Sequence, residues 1–353
     1  MTSIITRQRG AVIIIVLWTS VLLTILVTVL ASKVQLSAKT AFHNKAGSND
    51  LAAVMSAVNS AEMELMLERM PLPVGDITEI DEDGEFRIPA YRFNGQPLRL
   101  NYDTDENVVV RIYDHAGKIN LNRIPRQEMQ LLIEKQLGAR PDPQQVQELL
   151  AAWTDWTDLN AMPGLQGAED EYYLRLDPPY TARNNPELET VEELRLIRGF
   201  DELFKDVNLD AAFTVYGTGR TVNLNLATRE AMRLLPGLDD ELIEVIIAYR
   251  ETKDLRNKND VGELIPLERM VELSSWIGNN TSSIYSVYVY PKIQSDESDV
   301  EPAAFLDQVT QAYMQIIEVR SANSRGRVYK VDPYGRLPDT APARLQQENA
   351  QNP

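Results

Sequence analysis

Residues 11–31, AVIIIVLWTSVLLTILVTVLA, carry no charge, no proline and no glycine. As an α-helix rising about 1.5 Å per residue, the stretch spans roughly 32 Å, the thickness of a bilayer's hydrocarbon. Ten residues precede it, MTSIITRQRG, with Arg7 and Arg9 and no acid. Lys33 closes the run on the other side, but the chain beyond is strongly acidic. The positive-inside bias therefore predicts a cytoplasmic N-terminus and a translocated remainder.

Three readings of this segment compete. A secretory signal cleaved near residues 29–31 has acceptable small residues, but its apolar core exceeds the roughly 7–15 residues such signals use. A signal anchor is physically sound. A prepilin-type leader, cut between Gly10 and Ala11 so that the helix is retained, is favoured by a basic stretch ending in glycine directly before the apolar run.

The 353 residues suffice for two domains of ordinary size, and the formal net charge is −17 although the leader is basic. So acidic a body disfavours nucleic acid and anionic lipid and is compatible with hard cations. The absence of cysteine excludes disulfides, thiolate metal sites and lipoprotein anchoring together. The two histidines, His43 and His115, leave little for zinc or for Ser-His catalysis, and both read as structural.

The helical pattern continues past the apolar run. Leu51, Val54, Val58, Ala61 and Leu65 recur at helical spacing with Met55 and Met66 flanking, while Asn59, Glu62 and Glu68 fall on other faces. Gly47-Ser48-Asn49-Asp50 predicts a kink or restart with Asp50 as N-cap, and Pro71 and Pro73 end the helix. Residues 85–93, 97–103 and 107–113 read as strands, with Asn94-Gly95 as a tight hairpin. Residues 283–293, 312–321 and 326–332 alternate in the same way, and the stretch between the two strand groups is almost wholly helical in pattern.

The chain thus reads as α+β: a long N-terminal helix packed on an antiparallel sheet, with a large inserted all-α domain. The expected boundaries are a leader at 1–10, a membrane helix at 11–32 and the first part of the helix-and-sheet domain at 33–118. The insert follows at 119–281, the returning strands at 282–335 and a flexible tail at 336–353.

The insert contains an internal echo. KINLNRIPRQEMQLLIEKQ at 118–136 and TVNLNLATREAMRLL at 221–235 both give a strand-like V/I-N-L-N, a helix start and an apolar helix. TVEELRLIRGFDEL at 190–203 repeats helix, glycine turn, helix. The scheme resembles helix-hairpin-helix (SAM-like) modules, whose DNA-binding versions hold a phosphate on hairpin amides. Here Asp239, Asp240 and Glu241 occupy that hairpin, which favours a packing scaffold over a DNA clamp.

Candidate chemistry sits in WTDWTDLNAMPGLQGAEDEYYLRLDPPYTARN, residues 153–184. Asp155, Asp158 and Asn160 lie near the end of a helix that starts around Pro143, and Glu169 and Asp170 follow on a glycine-rich loop able to fold back. Carboxylates, an amide oxygen and loop carbonyls are the ligands of Ca²⁺, although the spacing is not that of an EF-hand. The plainer alternative is a solvated acidic loop. Trp153, Trp156, Tyr172, Tyr173 and Tyr180 interleave with the acids and predict a packed loop, where like charges need a counter-ion. No nucleophile, histidine or basic clamp accompanies the acids, so the chain is expected not to be an enzyme.

Taken together, the Gly10/Ala11 junction, the long helix, GKINLN, WTDWTDLN, GAEDEYY, PPYTARN, VEELRLIRG and VNLNLAT resemble the K-type minor pseudopilins of bacterial type II secretion systems, over nearly the whole chain. The resemblance implies cleavage and methylation by the prepilin peptidase at Gly10 and Ala11, a pilin-type domain carrying an inserted helical domain, and residence in the inner membrane with the bulk of the chain periplasmic. It implies a tip complex with minor pseudopilins I and J, further partners in pseudopilin H and the major pseudopilin G, and one or two Ca²⁺ ions in the insert. Asp155, Asp158, Asn160, Glu169 and Asp170 carry over as ligands, Asn160 standing where the family often has aspartate. It also implies a role in capping the pseudopilus and initiating its assembly for export of folded proteins. Most pilin-like subunits have Glu at the fifth mature position, where this chain has Ile15, as K-type proteins do; a subunit with nothing above it gains by losing that charge, which costs about 2–3 kcal/mol unpaired in lipid. A membrane-anchored helix-hairpin-helix DNA receptor and a metal-dependent periplasmic hydrolase are the competing classes.

Overall fold

The computed structural model describes residues 9–70, 91–98, 100, 107–292 and 311–339, with side-chain surroundings given for only part of the N-terminal helix. It divides into two compact units, Met1–Met55 and Ser56–Pro353.

The apolar run forms the start of a 60-residue helix, α1 (Arg9–Glu68). Side chains at 14–30 are exposed, and the hydroxyls of Thr19, Ser20, Thr24 and Thr28 donate to carbonyls three or four residues back at 2.8–2.9 Å, so none of them needs water. Among the described residues no helix is long and apolar enough to cross a membrane; the apolar run of the sequence extends past residues 14–30 at both ends. Gly10 and Ala11 lie in the first turns of α1, but their side-chain surroundings and all of residues 1–8 lie outside the described residues. α1 runs unbroken through Gly47–Asp50, so the expected restart with Asp50 as N-cap does not occur. One helical glycine costs about 1 kcal/mol, too little to break an otherwise continuous ladder.

In the second unit the end of α1 buries Val58, Ala61 and Leu65 as the periodicity predicts, and Ala57 beside them; further up the helix Leu51, expected on the same stripe, is 56% exposed. The end of α1 also buries Glu62 and Glu64, against the expectation for Glu62. Their partners come from distant sequence: Gly326 N–H donates to Glu62 at 2.9 Å and Arg92 pairs with Glu64 at 2.6 Å.

Among the described residues the strands are β1 (Asn94–Pro97), β2 (Val108–Asp114), β3 (Ile119–Asn120), β4 (Phe213–Thr214), β5 (Ile284–Pro291), β6 (Gln311–Glu318) and β7 (Arg327–Arg336), and the α-helices after α1 are α2 (Arg126–Leu137), α3 (Pro143–Thr157), α4 (Asp170–Tyr173), α5 (Phe200–Leu203), α6 (Leu209–Ala212), α7 (Arg229–Leu234), α8 (Asp240–Thr252), α9 (Lys258–Leu264) and α10 (Leu267–Leu273). Five form one antiparallel sheet in the order β1-β2-β5-β6-β7. Asn94-Gly95 is no hairpin turn. It opens β1 opposite Tyr113, and Gly95, at φ +90°, lies so close that a β-carbon would stand 2.1 Å from the Tyr113 ring. Of the other expected strands, 85–90 and 101–106 lie outside the described residues, as does the proline pair Pro71 and Pro73.

β2 and β5 pair along seven residues although the chain between them is the longest in the protein. Departure and return are clasped together: Asp114 accepts from Ser282 N–H at 3.1 Å and from its hydroxyl at 2.6 Å. That interval is not purely helical, a correction to the expected all-α insert. β3 and β4 pair in parallel, and Val222 bridges to Ile277. Around them runs one contiguous apolar cluster from Ile119 to Ile277, including Met129, Trp156, Phe200, Phe213 and Trp276.

The asparagines of V/I-N-L-N explain why short strand pieces survive among helices. Asn122 donates to Leu188 O at 3.0 Å and accepts Leu188 N–H at 2.8 Å; Asn225 repeats this on Leu255 at 2.9 and 2.7 Å. Two residues beyond each leucine a capping box opens the next turn, Thr190 with Glu193 and Asn257 with Asp260. The internal echo is therefore a repeated hydrogen-bonding role as well as a repeated string. Asn225→Ala leaves both backbone groups of buried Leu255 unpaired and is expected to cost about 2 kcal/mol in denaturant unfolding. A loss below about 0.5 kcal/mol would show that the clamp is redundant.

Candidate metal centre

The site is built from the end of one helix and the loop that folds back over it. α3 (Pro143–Thr157) starts with Pro at its first position and Asp142 as cap, accepting Gln144 N–H at 3.0 Å. Its buried face carries Val146, Leu150, Trp153 and Trp156, and Asp155 lies among them, 3% exposed. Asp158 ends the helix with extended backbone.

The loop returns so that Gly164 N–H donates to both oxygens of Asp155, at 3.2 and 3.0 Å. A β-carbon on Gly167 would stand 1.8 Å from Asp155 Oδ2, and one on Gly164 2.9 Å from Oδ1. Bare backbone at these two glycines is what lets the loop cradle the carboxylate. A single helical turn, α4 (Asp170–Tyr173), follows Glu169. Asp170 accepts Ala182 N–H at 2.7 Å, tying the PPYTARN segment to it. Below lies an aromatic floor: Tyr173 meets Trp156 edge-on and stacks on Tyr180, both at 5.2 Å, and Trp153 stacks on Phe200 at 5.9 Å. The expectation of a packed loop holds only in part: Trp153, Trp156, Ala168, Glu169 and Tyr173 are buried, but residues 159–166 and Tyr172 are exposed.

Glu169 is the unusual group. It is 4% exposed, and neither carboxylate oxygen has a hydrogen-bond partner. Burial, then the charges of Asp155, Asp158 and Asp170, push its pKa up to about 7. Burial also raises Asp155, partly offset by the amides of Gly164 and Ala168. The structure thus brings Asp155, Asp158, Glu169 and Asp170 into mutual electrostatic reach. Asn160 is exposed and turned to local bonds, its Nδ2 on Asp158 at 2.8 Å and its Oδ1 on Met162 N–H at 2.9 Å.

Sequence reasoning missed Arg198. Its guanidinium donates to Gly167 O at 2.9 Å, to Glu148 O at 3.3 Å and to Gln166 O, and lies over the Tyr172 ring at 5.4 Å. It fixes the loop through carbonyls and forms no ion pair with the acids among the described residues, so it does not neutralise Glu169. The basic residue of VEELRLIRG directly before Gly199 was the available signal.

Among the described residues no group of three or more acidic, histidine or cysteine side chains is placed to hold a metal ion alone. The chemistry nevertheless fits a hard cation bound with main-chain help. Glu169 has two unpartnered oxygens and Asp155 retains lone pairs beyond its amide bonds. An all-oxygen set of this kind suits Ca²⁺ far better than zinc.

The family model for "Type II secretion system (T2SS), protein K" matches residues 117–207, a span that contains the whole acidic loop and the first copy of the echo. The chain is 27% identical over 246 residues to type II secretion system protein K of Klebsiella pneumoniae, covering 66% of this chain and 70% of that one. It is 27% identical over 202 residues to the Pseudomonas aeruginosa protein K, covering 54% and 57%. It is 24% identical over 243 residues to the putative protein K of Escherichia coli K12, covering 66% and 70%. Its fold is similar to a chain in the crystal structure of the GspK-GspI-GspJ complex of the enterotoxigenic Escherichia coli type 2 secretion system, with a TM-score of 0.50 and 12% identity over 85% of this chain and all of that one. The family model and these relatives alike are type II secretion system protein K, and that is the family this chain is similar to, with the acidic loop inside the matched residues 117–207.

Proposed function

We propose that the chain is a minor pseudopilin that caps the tip of the periplasmic pseudopilus and helps start its assembly for export of folded proteins, without enzymatic activity. The family match over residues 117–207 carries this reading. In the enterotoxigenic Escherichia coli structure GspK stands in a complex with GspI and GspJ, which supports minor pseudopilins I and J as partners here; pseudopilin H, the major pseudopilin G and the prepilin peptidase complete the set. Anchoring in the inner membrane is supported by the uncharged run 11–31 and its basic leader, and Ile15 leaves no carboxylate to strand inside the apolar bundle at a tip position.

The steric case for capping is that the long excursion between β2 and β5 has a core of its own, so a subunit carrying it is too bulky to repeat along a close-packed filament. We assign that excursion, about residues 119–281, to an inserted domain with helix-hairpin-helix character. Its hairpin does not suit phosphate, because Asp239 already accepts Leu242 N–H at 3.0 Å at the start of α8 (Asp240–Thr252) and the next residues are acidic. Calcium is the ion we place at Glu169 and Asp155, where it supplies the positive charge that the buried carboxylates lack.

The function is tested by co-expressing the full chain with its own I- and J-type pseudopilins and purifying on this chain. A stable ternary complex is expected, and a chain that emerges alone would count against the tip assignment. Replacing Gly10 by a bulky residue is expected to leave the leader attached in cells with an active prepilin peptidase. Mass spectrometry of the N-terminus checks this; a mature chain still beginning at Ala11 would rule out a prepilin-type cleavage that depends on Gly10.

A further inference from the structure

Apolar packing does not hold the outer part of the acidic loop. Residues 159–166 are exposed, and the large apolar side chains among them, Leu159, Met162 and Leu165, are 80%, 78% and 93% exposed. Polar bonds set its path instead. Several are local: Asn160 N–H donates to Asp158 at 3.0 Å, Met162 N–H to Asn160 at 2.9 Å and Gly167 N–H to Gly164 O at 2.9 Å. Among the described residues two side chains tie residues 159–167 to the body of the protein, Asp155 from α3 and Arg198 from the turn between Val191–Leu196 and α5.

The two ties differ in kind. Asp155 is a carboxylate facing Asp158, and Glu169 faces both, so the charges at the base of the loop repel one another. Arg198 brings a cation and spends it on main chain. Its guanidinium donates to Gln166 O, to Gly167 O at 2.9 Å and to Glu148 O on α3 at 3.3 Å, while its backbone N–H donates to Tyr173 Oη at 3.3 Å. One residue thus spans α3, the loop directly before Glu169, and α4. The carbonyls it takes are those that most need holding. Gln166 stands at φ +66°, which a residue with a side chain rarely adopts unless its surroundings impose it. Gly167 is seated so tightly on Asp155 that a β-carbon there would stand 1.8 Å from the carboxylate.

We propose that Arg198 is a positioning residue that holds the acidic loop closed over Asp155 before any ion arrives, so that a cation meets a preformed site rather than folding one. Only the second half rests on the calcium reading. The test is amide hydrogen exchange of the full-length protein in an uncharged detergent with chelator. In the metal-free wild type Gly164 and Gly167 N–H are expected to exchange at least about tenfold more slowly than in an unstructured chain. Arg198→Met is expected to abolish that protection while the amides of α3 keep theirs. Arg198→Lys keeps the charge without the planar fork and is expected to lose the protection too; full recovery by lysine overturns the fork as the cause. Calorimetric titration with Ca²⁺ reads the second half: Arg198→Met is expected to bind about tenfold more weakly than wild type, because the ion must then order the loop. Exchange unchanged by Arg198→Met, or calcium affinity unchanged in a variant whose loop has opened, overturns the proposal. Unprotected Gly164 and Gly167 in the metal-free wild type overturn it even if no variant folds. A wild type that binds no calcium, yet loses its protection with Arg198→Met, supports the role of Arg198 and removes the calcium reading alone.

Discussion

Glu169→Gln is expected to raise the melting temperature of the metal-free protein at neutral pH while abolishing its response to calcium. The carboxyl is buried, lacks hydrogen-bond partners and has its pKa raised from the ordinary 4.5 to about 7. Below pH 4.5 it is protonated in folded and unfolded chains alike, so its protonated form contributes its full stability there. That contribution is lost as pH rises through about 7, where the folded chain must hold a carboxylate it cannot solvate. The difference is on the order of 2–3 kcal/mol, several degrees in melting temperature, and glutamine removes it. Calcium, bound as proposed, would act in the opposite sense. The ion requires the ionised form, so its stabilisation is greatest above about pH 7 and fades on acidification. Thermal unfolding of wild type with calcium and with chelator is expected to show a gap that narrows from about pH 8 to about pH 5, and the variant no gap at either. A wild-type protein indifferent to chelator at about pH 8 would remove calcium from the site. A variant no more stable than wild type without metal would remove the charge repulsion.

Part of this site was legible and part was not, for a physical reason. The placement of Asp155 on a helix end and the burial of Trp153, Trp156 and Tyr173 follow from local spacing and from the aromatics between the acids, whereas the exposure of residues 159–166 does not. What Asn160 does is also local, but it is a competition: its amide closes a turn on Asp158 and Met162, and spacing does not reveal which partner wins. Arg198 was invisible because its partners, Gly167, Gln166 and Glu148, are backbone carbonyls 31 to 50 residues away, and every residue has a carbonyl. The unpartnered state of Glu169 is likewise a property of packing, since the same residue on an open loop would be solvated.

The fold divides in the same way. Periodicity located the core face of α1 and the strands around β2, β5 and β6. It placed Glu62 on the outer face because the backbone it meets, at Gly326, is 264 residues away. Asn94-Gly95 has the composition of a turn, yet Gly95 serves a close approach to the Tyr113 ring inside a strand pair. A glycine's need for positive φ is readable from sequence; whether a turn or a neighbouring ring creates that need is not. The V/I-N-L-N echo was found as a string, and only the shared clamps on Leu188 and Leu255 show that it recurs as structure.

Gly117→Ala is expected to destabilise the protein by about 3 kcal/mol or more, acting at the meeting point of those two copies. A β-carbon on buried Gly117 would stand 2.2 Å from Leu226 O and 2.8 Å from Ala227 N, so the obstacle is main chain rather than a movable side-chain tip. That main chain is held from several directions. Asn223 N–H donates to Ala116 O at 2.8 Å, Arg250 donates to Leu224 O and Ala227 O at 2.9 and 2.7 Å, and Thr228 donates to Ala211 O at 2.8 Å. Relieving the clash means separating the start of the first copy from the turn of the second, and with it β2 from the clasp at Asp114. Gly262, within α9 (Lys258–Leu264), is the matched control: its β-carbon position is open, and Gly262→Ala is expected to be neutral or to stabilise by up to about 1 kcal/mol. Denaturant midpoints of the two variants should therefore fall on opposite sides of wild type, or the control level with it. If Gly117→Ala unfolds alongside the control, the two copies do not meet backbone to backbone, and the excursion's attachment to the sheet must rest on the Asp114–Ser282 clasp alone.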